Sequence, residues 1–436
     1  MLLLSEAQVR QCLNINRCIE SNRIALGSLR WRRRKINQSI EQNYDTHENT
    51  AIVPRRIAIP YHSRESSSTS TSSSSSTKNI DNKNAHDMTL FKPAAFYPSS
   101  SSSSSQHRNQ NTIMGLKVVS TRANNPSIGK PTVPANILLL NAETGEVDSM
   151  VAATYLTAAR TAAGSAIATE LCLQQVHGNI LDIVKDLHLV VFGAGLQAEL
   201  HILCLYHIPL IKKHLKRITI ANRNLERAEL LKETIEELLL QKKKDDLNDL
   251  KNNTDKEHQI PITRKSQISI HCVSLQEDEK IQNAVESANV IVTATNTSTP
   301  LFNWEWVQPG CHINGVGSYQ ANSEEVCSKF AKNHCVVVCD TMEALDVGDL
   351  KLIKPDETKD KDNDNCNNKD DAPFIGLLGD VLAGEVIIPS LTSRQKKSRY
   401  CTFFKSVGTA IQDVITAEQV VRSANAKGIG TIVDMS

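Results

Sequence analysis

Six consecutive residues, Gly193-Ala194-Gly195-Leu196-Gln197-Ala198, have the types and spacing to cradle a phosphate. They follow a continuous apolar run, 187–192, and precede a segment of helical character that extends to about residue 207. In a strand-to-helix turn the first glycine permits the sharp bend. The second lets the backbone approach a pyrophosphate unobstructed, and a small residue at 198 keeps helix and sheet close. The helix N-terminus then offers free N–H groups and a partial positive charge to the phosphates. The spacing alone is a weak signal, and its place between strand and helix is what makes it a dinucleotide site.

The end of the next strand decides which dinucleotide. An Asp or Glu there would hold a free ribose 2′-hydroxyl. This chain reads Ala221-Asn222-Arg223-Asn224, with no acid until Glu226. A guanidinium stacks on adenine and pairs with a 2′-phosphate, which a carboxylate would repel. The expected cofactor is NADPH, with NAD as the alternative. Its expected contacts are Gly193, Ala194, Gly195, Leu196, Gln197, Asn222, Arg223 and Asn224.

These residues need a sheet to position them. Apolar runs at 187–192, 217–221, 268–273, 289–295, 311–316 and 336–339 alternate with helical segments, 225–240 among them. The alternation predicts a Rossmann fold, a doubly wound parallel α/β sheet of six strands. Upstream, 52–60, 115–120 and 137–140 read as extended, and Asn141-Ala142-Glu143-Thr144-Gly145 as a turn. Residues 152–174 read as a long alanine-rich helix, packed tightly against another element or a second subunit. After Thr341 the pattern stops. The expected organisation is an NAD(P)-binding domain at 187–344, with 1–186 and 345–436 forming a discontinuous α+β substrate-binding and dimerisation domain.

Composition excludes several classes. Lysine plus arginine (49) nearly balance aspartate plus glutamate (48) over 436 residues, so no net field favours nucleic acid or membranes. The first residues are apolar for too short a stretch to be a signal peptide, and no apolar run approaches the roughly 20 residues of a membrane span. The eleven cysteines show no CxxC pair and no Cys/His ligand spacing, so no metal is expected. Cys335 and Cys339 lie in an apolar run and read as strand packing. This usage fits a reducing, cytoplasmic compartment. Serine-rich stretches near 63–87 and 99–111 cannot bury enough apolar surface to order themselves. Polar stretches near 241–257 and 354–371 read as solvated loops, and the basic cluster 30–35 as a solvated face rather than a nuclear address.

Six segments taken in order resemble the ornithine cyclodeaminase/mu-crystallin family. They are Val53-Pro54-Arg55-Arg56 to Pro60, Gly115-Leu116-Lys117-Val118-Val119, Leu156 to Ala163, Gly193 to Ala198, His312-Ile313-Asn314-Gly315-Val316-Gly317, and Phe404-Lys405-Ser406-Val407-Gly408. The resemblance spans nearly the whole chain once the low-complexity stretches are set aside. It implies that Arg56, Lys117 and Arg160 hold a substrate α-carboxylate, with Lys117 and Arg160 as the catalytic pair. A guanidinium binds a carboxylate in a fixed fork, and a nearby ammonium serves as point charge or proton donor. Arg55 is the competing register for Arg56. Thr161, Thr295, Val316 and Gly317 are expected at the cofactor, with glycines 315 and 317 letting the backbone reach the nicotinamide. The Lys405-Ser406-Val407-Gly408 segment resembles a motif that closes back onto the site. A homodimer is implied as well.

Two departures from the family pattern bear on chemistry. The fourth strand runs into Thr293-Ala294-Thr295-Asn296-Thr297, where ornithine cyclodeaminases carry Thr-Ala-Asp. Neither Thr297 nor Asn296 acts as a base near neutral pH. Lys92, in Phe91-Lys92-Pro93-Ala94, stands where the family commonly has methionine, and reads as an extra charge at the mouth of the site or as a loop residue. The expected function is an NADPH-dependent reductase of imino acids, like a ketimine reductase, acting on a small carboxylate-bearing imino or amino acid. The alternatives are an NAD-linked ornithine cyclodeaminase or amino-acid dehydrogenase, and a non-catalytic NADPH-loaded binding protein.

Overall fold

The computed structural model describes residues 1–30, 50–60, 87–98, 112–122, 124–177, 186–252, 268–353, 374–390 and 400–434, with the side chains of 243–252 left out. Residues 63–86 and 99–111 of the two serine-rich stretches, residues 31–35 of the basic cluster and the 354–371 stretch lie outside the described residues. In chain order the described strands are β1 (Leu2–Leu4), β2 (Thr50–Ile52), β3 (Ile57–Pro60), β4 (Met88–Tyr97), β5 (Ile113–Thr121), β6 (Ala135–Leu140), β7 (Val147–Ala152) and β8 (Leu187–Phe192). They continue with β9 (Leu215–Asn222), β10 (Ser269–Ser274), β11 (Val290–Thr293), β12 (His312–Gly315), β13 (Cys335–Cys339), β14 (Phe374–Leu377), β15 (Cys401–Lys405) and β16 (Thr431–Ile432). The helices used below are α1 (Glu6–Cys12), α2 (Ile15–Gly27), α3 (Thr154–His177), α4 (Leu196–His207), α5 (Pro209–His214) and α6 (Leu225–Asn252). After them come α7 (Asp278–Glu286), α8 (Ser328–His334), α9 (Leu378–Leu382) and α10 (Ala410–Lys427).

The chain divides into two compact units. The first comprises Met1–Leu13, Thr46–Thr157 and Thr409–Ser436. Its sheet runs β16-β1-β7-β6-β5-β4-β2, with β3 also paired to β4. Along β5 burial alternates, as a sheet covered on one face requires. Gly115, Lys117, Val119 and Thr121 face inward, under helix α10, while Met114, Leu116, Val118 and Ser120 stay half-exposed.

The second unit comprises Asn14–Asp45 and Ala158–Gly408. Its sheet is wholly parallel in the order β10-β9-β8-β11-β12-β15-β13-β14. Strand order reverses between β8 and β11, the position where parallel sheets open a crevice at their carboxyl ends. The alanine-rich helix α3 packs within this unit. Cys204 of α4 lies against the Ala159 carbonyl, His201 meets Ser165 at 3.0 Å, and Asn314 of β12 donates to Thr169 at 2.9 Å. Its small side chains serve another element of the same unit.

Four sequence expectations change here. Among the described residues the parallel sheet has eight strands, not six, because β14 and β15 join it. The chain therefore does not leave this unit after Thr341, and the return falls at Thr409, not 345. Residues 14–45 and 158–186 also group with the second unit, although 1–186 was expected in the first. Runs of four or five apolar residues between polar stretches carry too little periodicity to be recognised. β15 moreover inserts between β12 and β13, out of sequence order. Helix α6 continues to Asn252, through part of the stretch expected as a loop, since leucine, lysine and glutamine are good helix formers.

β15 ends on Lys405, which is fully buried and paired with the fully buried Asp349 at 2.7 Å. Asp349 also accepts from the Glu325 and Val326 backbone N–H groups at 2.7 and 3.2 Å. Removing the acid would leave a buried ammonium uncompensated. Asp349→Ala should cost about 3–5 kcal/mol in denaturant unfolding, and a loss below about 1 kcal/mol would refute this account of the pair.

Candidate active site

The glycine turn leaves β8 at the point where strand order reverses. Gly193 has φ +111°, and its N–H donates to the Ala221 carbonyl at 2.8 Å, tying β8 to β9. Gly195 is the N-cap of α4 and supplies no side-chain cap, so the first N–H groups of the helix stay available. A Cβ added at Gly195 would meet nothing within 4 Å. Gln197 Oε1 in the first turn of α4 and Thr293 Oγ1 at the end of β11 are buried with no hydrogen-bond partner among the described residues. An open glycine cradle, an uncapped helix and two orphaned oxygens fit a dinucleotide that brings phosphates and polar groups of its own.

At the end of β9, Asn222 donates to the Asn224 carbonyl at 2.7 Å, and Arg223 is exposed. Asn224 accepts from Arg227 N at 3.0 Å and so caps α6, which commits its side chain to the helix.

The loops after β11 and β12 are joined by Glu325, an acid that sequence reasoning missed. One of its oxygens accepts from Thr295 N at 2.6 Å and Thr295 Oγ1 at 2.7 Å. The other accepts from Gly317 N at 2.7 Å and Ser318 N at 3.0 Å. Burial pushes its carboxyl up from the usual glutamate range, opposed by Lys405 and the Thr295 donors and reinforced by Asp349. Close packing by itself requires glycine at 317. A Cβ there would lie 1.8 Å from the Thr295 carbonyl oxygen. Gly315 likewise sits against the Phe403 ring, 2.5 Å from where its Cβ would be. Both glycines let neighbouring elements close on each other. Val316 is buried between them.

In the first unit Lys117 is 1% exposed and its ammonium donates to Asp413 of α10 at 2.9 Å. Lys92 is neither a loop residue nor at the surface. It lies within β4, 5% exposed, directly across from Lys117 in the β4–β5 register and 4.0 Å from the other oxygen of Asp413. Ile57 registers with Phe91, so Arg56 enters β3 beside the position of Lys92. Arg56 is half-buried and Arg55 exposed, which favours the Arg56 register. Asp413 was missed because it stands 296 residues from its partner, although an acid on the apolar face of a final helix signals a cation to meet it.

In the second unit Arg160 is 4% exposed on α3, next to the buried Thr161. Gly408 holds φ +75°, and a Cβ there would fall 2.1 Å from an Arg160 guanidinium nitrogen. The guanidinium therefore rests against this backbone, which only glycine permits. Asp340, at the end of β13, holds the loop in place. Its carboxylate accepts from Ser406 Oγ at 2.8 Å, Val407 N at 3.0 Å and Gly408 N at 2.6 Å. The Lys405-Ser406-Val407-Gly408 segment thus has a physical role. Its lysine anchors the strand end, and its glycine forms a wall for Arg160.

Residues 104–241 and 249–428 match the model of the ornithine cyclodeaminase/mu-crystallin family. An uncharacterized cyclodeaminase of Dictyostelium discoideum is 27% identical over 445 residues, covering 100% of both chains. Ketimine reductase mu-crystallin of Macropus fuliginosus is 29% identical over 300 residues, covering 68% of this chain and 72% of its own. Among solved structures, Thermococcus litoralis Δ1-pyrroline-2-carboxylate reductase, in complex with NADH and L-proline, superimposes with a TM-score of 0.65. That likeness covers 99% of this chain and 100% of the other at 22% identity.

The helix behind the glycine turn carries a pH dependence. His201, fully buried on α4, donates from Nδ1 to the Gln197 carbonyl at 2.7 Å and meets Ser165 through Nε2. Burial lowers its pKa to about 4, with the Gln197 carbonyl opposing. His188 on β8 is also lowered to about 4, by burial and then by Arg217. Both rings are neutral in the fold, whereas an unfolded histidine takes up its proton near pH 6.5. Their stability is intact above about pH 6.5 and is lost as the pH falls toward about 4. The urea midpoint should drop from pH 7 to pH 5, and less steeply in His201→Asn. Equal slopes in the two proteins would count against His201.

Proposed function

This chain belongs to the ornithine cyclodeaminase/mu-crystallin family, and we propose that it reduces the C=N bond of an α-imino carboxylate with NADPH. The observation that carries this reading is the chemistry at the end of β11. Cyclodeamination needs a carboxylate there to act on substrate amino groups, and the chain offers Thr295, Asn296 and Thr297. Glu325 reaches the same loop, but both its oxygens are taken by four donors, so it is a strut and not a base.

Bound NADPH supplies the hydride. Gly193, Ala194, Gly195, Leu196 and Gln197 would hold its pyrophosphate. Asn222 and Arg223 would hold the adenosine end, and Thr161, Thr295, Val316 and Gly317 the nicotinamide end. Asn224 would contribute through its backbone. Arg160 presents a planar fork suited to the substrate carboxylate. Lys117, kept in place by Asp413, supplies a fixed positive charge and the proton for the imine nitrogen, with Arg56 as third cation. Fixed orientation and preset charges would account for most of the acceleration.

The half-exposed sheet face of the first unit supports a homodimer. Pro93, Leu116, Leu138 and Met150 stand in register across β4, β5, β6 and β7, an apolar row that a second copy would cover. Monomers in sedimentation equilibrium would overturn this. The cysteines described are all free thiols, which suits a reducing compartment such as the cytoplasm.

Purified protein should oxidise NADPH with a cyclic ketimine carboxylate and release no ammonia from ornithine. Ammonia and proline from ornithine would favour the cyclodeaminase reading, and tight NADPH binding without turnover of any imine the binding protein. Arg223→Asp should raise KM for NADPH by about 10- to 100-fold, the size of a lost charge-assisted contact, and leave NADH nearly unaffected. Unchanged cofactor preference would sink the NADPH assignment.

A further inference from the structure

Lys92 is buried where the family pattern has an uncharged methionine, and it sits opposite another buried lysine. The β4–β5 register sets Lys92 directly across from Lys117. Both point to the face covered by α10, with exposures of 5% and 1%. Their ammonium groups approach the two oxygens of one carboxylate, Asp413 Oδ2 at 4.0 Å and Asp413 Oδ1 at 2.9 Å. Like charges directly opposed on a sheet repel, and desolvating a second ammonium is unfavourable. A methionine of similar length would fill the same space with neither penalty. Asp413 brings the two ammoniums close enough to act on one anionic ligand.

We propose that Lys92 is a substrate-binding residue that directs this chain to imino acids bearing a second anionic group, an imino dicarboxylate. The inference rests on the reductase reading for the role of Lys117. One α-carboxylate has two oxygens, and on that reading Lys117 and Arg56 of this unit already supply two cations for it. A third cation, held beside Lys117 by the shared aspartate, is surplus to those two oxygens and matches a second carboxylate. Arg56 enters β3 next to Lys92, so the cation-rich end of this sheet continues past Lys117.

The test compares a cyclic ketimine monocarboxylate with the same ring carrying a second carboxylate, at saturating NADPH. Wild-type protein should show the higher kcat/KM on the dicarboxylate. In Lys92→Met the ratio of dicarboxylate to monocarboxylate kcat/KM should fall by about 10- to 100-fold, as for a lost charge-assisted contact. Lys92→Arg should retain most of the ratio. A ratio unmoved by Lys92→Met, or equal losses on both substrates, overturns the proposal and makes Lys92 a structural partner of Asp413. Calorimetric binding of the saturated, non-reducible mono- and dicarboxylate rings to the NADP-loaded protein separates this from failure of the reductase reading. Binding that prefers the dicarboxylate and needs Lys92, without turnover of any imine, sinks the reductase and keeps the site. Turnover of the monocarboxylate with no Lys92-dependent preference keeps the reductase and sinks the site. If Lys92→Met fails to retain NADPH binding, Lys92→Gln takes its place in both measurements.

Discussion

An ammonium withdrawn from water between a sheet and a helix survives only if an opposite charge meets it, and Asp413 meets Lys117 at 2.9 Å. Much of the first unit is arranged around that pair. α10 must lie close enough to β5 for the contact, and Gly115, two residues before Lys117, makes the room. A Cβ there would press on Val414, the helix neighbour of Asp413. The cation and its holder stand 296 positions apart, so only the folded unit brings them together.

The second unit follows the same rule along its carboxyl edge. Lys405 is matched by Asp349, Asp349 receives the backbone of Glu325, and Glu325 receives the loops after β11 and β12. Asp340 gathers the loop that walls Arg160. Each acid satisfies several donors at once, which makes the network rigid, because a half-satisfied buried polar group is expensive. Preorganisation of this kind keeps a site's donors and charges from having to reorder during a reaction.

Much of the fold was legible in the residues. The apolar run before Gly193 and the helix after it appear as β8 and α4, and 217–221 lies within β9. The upstream extended segments became β3, β5 and β6. Illegible were the short β14 and β15, whose few apolar residues lie between polar stretches, and the place of β15 between β12 and β13. Of the site, Lys117 and Arg160 were marked by the family resemblance, since each taken alone reads as a solvated charge. Glu325, Asp340 and Asp413 were not, because a lone acid in sequence looks like any solvated carboxylate.

What the sequence by itself determined is local: a turn that only glycine can make, a helix N-terminus left uncapped, and an arginine where an acid would exclude a 2′-phosphate. Backbone conformation and the sign of a charge reside in the residue and its neighbours. Tertiary structure alone decided which acid holds which cation, why Gly317 and Gly408 are glycines, and that Lys92 faces Lys117. Those facts depend on strand register and on contacts such as that between Lys117 and Asp413, 296 positions apart, which no local pattern encodes.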